Sequence, residues 1–88
     1  MAERTVMIMN KNGLHARPAA EIVKAAAKFS SDIVIIRDDL EVNGKSIMGV
    51  LMLAAECGSS ILVRASGKDE AAAVDAIAAL VAGKFGEK

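Results

Sequence analysis

The residues able to do chemistry gather in one stretch, Asn12-Gly13-Leu14-His15-Ala16-Arg17-Pro18-Ala19, which holds the chain's only histidine and only proline. Neutral imidazole is a nucleophile near pH 7, and its pKa is readily tuned. The spacing places a helix start at about His15 or Ala16, because Pro18 fits a helix only in its first turn. With His15 as the capping residue, the N–H groups of Ala16 and Arg17 are among the unpaired donors of that turn. They point where a phosphate on the imidazole would sit, and the helix dipole adds about 0.3–1 kcal/mol there, or up to about 2 in a partly buried site. Arg17 can add a charge-assisted, bidentate contact. The chemistry that suits this set is transient attachment of a phosphoryl group. A lone histidine before a helix is more often a polar cap or a surface residue, since any helix start offers the same amides. Nothing else in the chain reads as a hydrolytic partner, a metal cluster or a Gly-rich nucleotide loop. A site that receives phosphate with no machinery to use it is a carrier.

The elements that must position this stretch follow from the pattern of apolar residues. Thr5-Val6-Met7-Ile8-Met9 alternates as a strand, with Val6 and Ile8 on one face. Asn10 to Gly13 is a loop by composition. From Ala16 to about Lys28 the period becomes helical, with an apolar face of Ala19, Ala20, Ile22, Val23, Ala26 and Ala27. Ile33 to Ile36 is β-branched and reads as a strand. Asp38-Asp39 turns it into a hairpin returning through Leu40-Glu41-Val42. Ser46 reads as the N-cap of a short helix over Ile47 to Leu53. Ser60 to Ala65 is a further strand, and Asp69 is placed to cap a last helix over Glu70 to Gly83, with Val74, Ile77, Leu80 and Val81 facing the core. The order β-α-β-β-α-β-α, with alternating rather than continuously apolar strands, points to an α+β domain: an antiparallel sheet with helices on one face.

Composition narrows the function classes. Eighty-eight residues make one domain, residues 1–88. Eleven basic and eleven acidic side chains balance, and Phe29 and Phe85 are the only aromatics. A nucleic-acid binder needs a basic face, and a single-strand RNA module needs exposed aromatics for stacking; neither pattern is present. The single Cys57 allows no internal disulfide, fits a reducing cytoplasm, and reads as a small apolar space-filler. One His and one Cys make no zinc set. No signal peptide and no membrane span are expected.

Two blocks, Asn12 to Ala19 and Gly44-Lys45-Ser46-Ile47-Met48-Gly49-Val50-Leu51, resemble the active-site and regulatory-serine regions of HPr, the phosphocarrier family of the bacterial phosphoenolpyruvate-dependent sugar phosphotransferase system. A third block, Ala65 to Glu70, is similar to the start of that family's last helix. The resemblance covers nearly the whole chain. It implies an open-faced β-sandwich, with a four-stranded antiparallel sheet in the order 1-4-2-3 and three helices on one face. It implies that His15 takes phosphate on Nδ1 from phosphorylated enzyme I and passes it to an enzyme IIA domain of a sugar permease. Arg17 and the Ala16 and Arg17 amides would hold the phosphate, with Asn12 and Pro18 in support. No cofactor is implied beyond the covalent phosphoryl group, and the chain would be a cytoplasmic monomer that is not itself an enzyme.

Ser46 matches the residue phosphorylated by HPr kinase/phosphorylase, which brings in a catabolite-control transcription factor as a further partner. A phosphate at a helix start is tolerated by the fold, yet it adds about −1.5 to −2 charges beside a docking surface. That surface would comprise Ile47, Met48, Leu51 and Met52, with Ala20 and Lys24 extending it on the first helix, while Val50 and Leu53 point inward. A nitrogen-branch carrier carries a similar His motif. A regulatory adaptor acting through phospho-Ser46 is the reading from a different class, and the presence of His15 argues against it.

Overall fold

A computed structural model describes residues 1–86 of the chain. The elements run β1 (Ala2–Met7), α1 (Ala16–Ala26), β2 (Asp32–Arg37), β3 (Leu40–Asn43), α2 (Ile47–Met52), β4 (Ser60–Ser66) and α3 (Glu70–Ala82), followed by a short turn at Lys84–Gly86. The four strands form one antiparallel sheet in the order β1-β4-β2-β3. This is the open-faced α+β sandwich expected of the sequence.

Register explains the layering. Ile61, Val63 and Ala65 of β4 are all buried; they pair with Val6, Arg4 and Ala2 of β1, and Val63 and Ala65 pair with Ile35 and Ile33 of β2. Since side chains alternate along a strand, these residues share one face, and the helices cover it. α3 packs on β1 and β4, and α1 packs against α2 and α3. Ile22 of α1 and Val74, Ile77 and Val81 of α3 complete the core. The opposite face is open, and it carries an ion pair in which Arg64 Nε lies 2.6 Å from Glu3 Oε2 across the β1–β4 seam.

Several boundaries differ from the sequence expectation. The first strand starts at Ala2 and ends at Met7, instead of spanning Thr5 to Met9. Pairing partners set strand ends, and the ladder runs from Ala2 opposite Ala65 to Met7 opposite Ser60. Polar Glu3 and Arg4 are accommodated through Arg64 and through Asp75 of α3, 2.8 Å from Arg4. α1 ends at Ala26 because the following amides tighten into i−3 bonds, Lys28 to Ala25 and Phe29 to Ala26. Ala27 is therefore exposed. Leu80 is only half-buried, and Leu53 is the C-cap of α2 instead of its last turn.

Two corrections concern side-chain chemistry. Cys57 is an exposed free thiol, not a space-filler, because it sits on the turn between α2 and β4. Asp69 makes no capping bond to α3. Its carboxylate instead accepts from the Ser30 and Ser31 amides, each at 3.0 Å, and from the Ser31 hydroxyl. Those bonds hold its pKa down at about 2, the Ser31 hydroxyl contributing most. Glu70 reaches back to the Gly67 amide at 3.1 Å.

Candidate functional site

The loop before α1 is shaped by its own polar groups. Asn10 is fully buried, and its Nδ2 donates to the Gly13 carbonyl at 2.7 Å, while the Gly13 amide returns a bond to the Asn10 carbonyl at 3.0 Å. Gly13 has φ +66°, and a Cβ there would lie 2.6 Å from the Ala55 carbonyl oxygen. Glycine is required twice over, by conformation and by contact. Leu14 donates its amide to that same Ala55 oxygen at 2.8 Å and buries its side chain. Asn10 was absent from the sequence-level site. Its signal was present in the Asn-x-x-Gly spacing, since asparagine side chains bond backbone groups in turns.

α1 then begins as its residues dictate. His15 is extended at φ −84°, ψ −171° and makes no side-chain capping bond, and the first helical bond runs from the Ala19 amide to the His15 carbonyl at 3.0 Å. A helix start has four amides with no partner inside the helix. Here the His15 amide turns back to the Gly13 carbonyl at 3.1 Å, and Pro18 has no N–H. That leaves Ala16 and Arg17, both at exposed residues, as the two donors a ligand on His15 can use. No acidic residue stands in the first turn. His15, half-exposed, lines an open cleft of about 480 Å³ together with Lys11, Asn12, Leu14 and the segment Ala54 to Cys57. Asn12 is exposed on this cleft, whereas Pro18 is buried under the helix start. Arg17 is exposed at the second helical position and does not line the cleft. The sequence assigns no supporting carboxylate to Arg17 from its C-terminal residues Glu87 and Lys88, and these lie outside the described residues.

Ser46 begins α2 differently. Its hydroxyl accepts the Gly49 amide at 3.1 Å. The preceding Lys45 donates its amide to Asn43 Oδ1 at 2.9 Å and its ammonium to the Phe29 carbonyl at 2.8 Å, which ties α2 to the end of α1. On α2, Ile47, Met48 and Met52 are 45%, 70% and 64% exposed, while Val50 and Leu53 are buried. Leu51 departs from the expected outward patch: it is half-buried and packs on the core. On α1, Lys24 is exposed and Ala20 half-exposed. The arrangement provides a nucleophile, two directed amides, a helix dipole and a neighbouring apolar surface.

Residues 2–83 match the family model described as PTS HPr component phosphorylation site. The chain is 50% identical to the phosphocarrier protein HPr of Treponema pallidum over 88 residues, covering 100% of both chains. It is 42% identical to the phosphocarrier protein NPr of Shewanella violacea, over 97% of this chain and 93% of that one. The crystal structure of HPr-C-His from Thermoanaerobacter tengcongensis superposes with a TM-score of 0.96 at 48% identity, covering 100% of this chain and 99% of the other.

Proposed function

The chain belongs to the HPr family of phosphotransferase-system phosphocarriers, and from that premise we propose that His15 is the phosphoryl acceptor in a relay from enzyme I to enzyme IIA domains of sugar permeases. The observation that carries this reading is the pair of open amides at Ala16 and Arg17 directly after His15. In the transfer, the Nδ1 lone pair forms a bond to phosphorus as the donor's bond to phosphorus breaks, with the electron pair leaving to the donor. Positioning and charge neutralisation supply most of the catalysis in such steps. The two amides and the helix dipole face the added negative charge, and Arg17 neutralises it from the second helical position. No cofactor takes part, and the protein acts as a monomeric carrier, not as an enzyme that turns over a substrate.

Ser46 is the proposed regulatory site, phosphorylated by HPr kinase/phosphorylase, with a catabolite-control transcription factor as the reader. Its place beside exposed Ile47 and Met48 means that added charge meets a docking partner before it meets the core. A cytoplasmic location follows from this role, and among the described residues no helix is long and apolar enough to cross a membrane. The likeness to an NPr supports one second reading, a nitrogen-branch carrier. Incubation with enzyme I and phosphoenolpyruvate tests the proposal. An acid-labile phosphate is expected on the native chain and none on His15→Ala; label persisting in that variant overturns it. Faster phosphorylation by the nitrogen-branch enzyme I than by the sugar-branch one would select the second reading.

A further inference from the structure

His15 is steadied by a part of the chain that lies outside the sequence motif. The Ala55 carbonyl that receives the Leu14 amide follows Ala54, whose φ is +49°. A residue with a Cβ is disfavoured in that left-handed conformation, and it persists where the surroundings over-determine it. Here the surroundings act from both sides. Before Ala54, the Leu53 carbonyl at the end of α2 accepts from Arg37 Nη1 at 2.9 Å. After it, Ala55 is buried, accepts from Leu14, and lies against Gly13 so closely that no side chain fits between them. Arg37 ends β2, and by alternation from buried Ile33 and Ile35 it is on the helix-covered side of the sheet.

We infer that Arg37 is a positioning residue for His15: its guanidinium holds Leu53 to Ala55 as a strut against Gly13 and Leu14, and so sets where the imidazole stands relative to the Ala16 and Arg17 amides. The inference rests on the phosphocarrier reading above. The strut runs Arg37, Leu53, Ala54, Ala55, Leu14: hydrogen bonds join Arg37 to Leu53 and Leu14 to Ala55, and the exposed Ala54 connects buried Leu53 to buried Ala55 through the backbone. Phosphoryl transfer is sensitive to such placement, because a misplacement of about 1 Å can cost about 10²-fold in rate. Arg37 itself does not line the cleft that holds His15, so its effect is exerted through the strut.

The test measures enzyme I-dependent phosphorylation of the full chain, wild type, Arg37→Ala and Arg37→Lys, separating kcat from KM for the carrier. Amide NMR shifts of Ala16 and Arg17 are recorded before and after phosphorylation. Arg37→Ala should lower kcat about tenfold with KM within about twofold, and should shrink the phosphorylation-induced shifts of both amides. Arg37→Lys, which can still donate to the Leu53 carbonyl, should restore most of both. An unchanged kcat overturns the inference, and so does a raised KM at constant kcat, which would make Arg37 a docking contact. If Arg37→Ala fails to fold, Arg37→Met keeps the packed stem and removes only the donor to the Leu53 carbonyl, and an unaltered kcat there overturns the inference equally. A wild-type chain that takes no phosphate sinks the carrier reading instead. The strut is then still read by hydrogen exchange of the Leu14 amide, which Arg37→Ala should accelerate.

Discussion

α1 and α2 both start from an extended residue, yet they treat their first-turn amides in opposite ways. Ser46 folds its hydroxyl onto the Gly49 amide and closes its own helix start. His15 makes no such bond, and Pro18 removes one donor, so the Ala16 and Arg17 amides are left without a capping acceptor from the His15 side chain. A capped start is a stability device; an uncapped one keeps its first-turn amides available to an anion. The difference lies in side-chain reach. A short hydroxyl bends back to the third amide of the turn, whereas the imidazole at His15 makes no bond to its own first turn.

The largest expected effect separates the two starts by function. His15→Ala should abolish enzyme I-dependent phosphorylation while α1 keeps its start at Ala16, read from amide NMR shifts, because the side chain supplies no cap to that helix. Fraying of the first turn in that variant would show that His15 also serves as a structural cap. Next, Ser46→Asp should weaken enzyme I binding about tenfold, about 1.4 kcal/mol by titration calorimetry, with little change in melting temperature. Unchanged affinity would detach Ser46 from the docking surface. Smaller again, Ser46→Ala should cost about 1 kcal/mol of stability, since the Gly49 amide loses its acceptor, and should leave His15 phosphorylation intact. A Ser46→Ala variant of unchanged stability would erase the contrast between the helices.

The third helix start gives the smallest and most conditional effect. Asp69 directs its carboxylate to Ser30 and Ser31 rather than to α3, and its pKa is lowered to about 2 from the ordinary 3.8. A depressed pKa means the folded state favours the ionised form, so the stabilisation is fully present above about pH 4 and is lost as pH falls through about 2. The melting-temperature gap between wild type and Asp69→Asn should therefore be constant from pH 7 to about 5 and close between about 4 and 2. A gap that persists unchanged at pH 2 would show that the carboxylate's charge is not what the Ser30 and Ser31 donors recognise.

Much of this was legible in the residues themselves. The position of Pro18 is allowed only in a first helical turn, so it located the start of α1 to within a residue. Local chemistry also placed Ser46 as a cap and put Val50 and Leu53 inside, since a helix on an open sheet buries one side. Strand alternation in Ser60 to Ala65 set the buried face of β4. These are short-range constraints, written by sterics and periodicity in neighbouring residues.

What the tertiary structure alone decided is where distant segments meet. Asp69 has the residue type of a cap, but the nearby Ser30 and Ser31 amides offered its carboxylate more donors than its own helix did. Leu51 is half-buried because it packs against the core cluster, a contact between segments that no single-helix pattern specifies. Cys57 was exposed by a turn whose path depends on β4 joining β1 and β2. Above all, the contact that bars a side chain at Gly13 comes from the Ala55 carbonyl, and Arg37 reaches the nearby Leu53 carbonyl, meetings between residues far apart in the chain. Periodicity and turn chemistry act over a few residues; pairing register and close packing act between segments, and the placement of His15 depends on both.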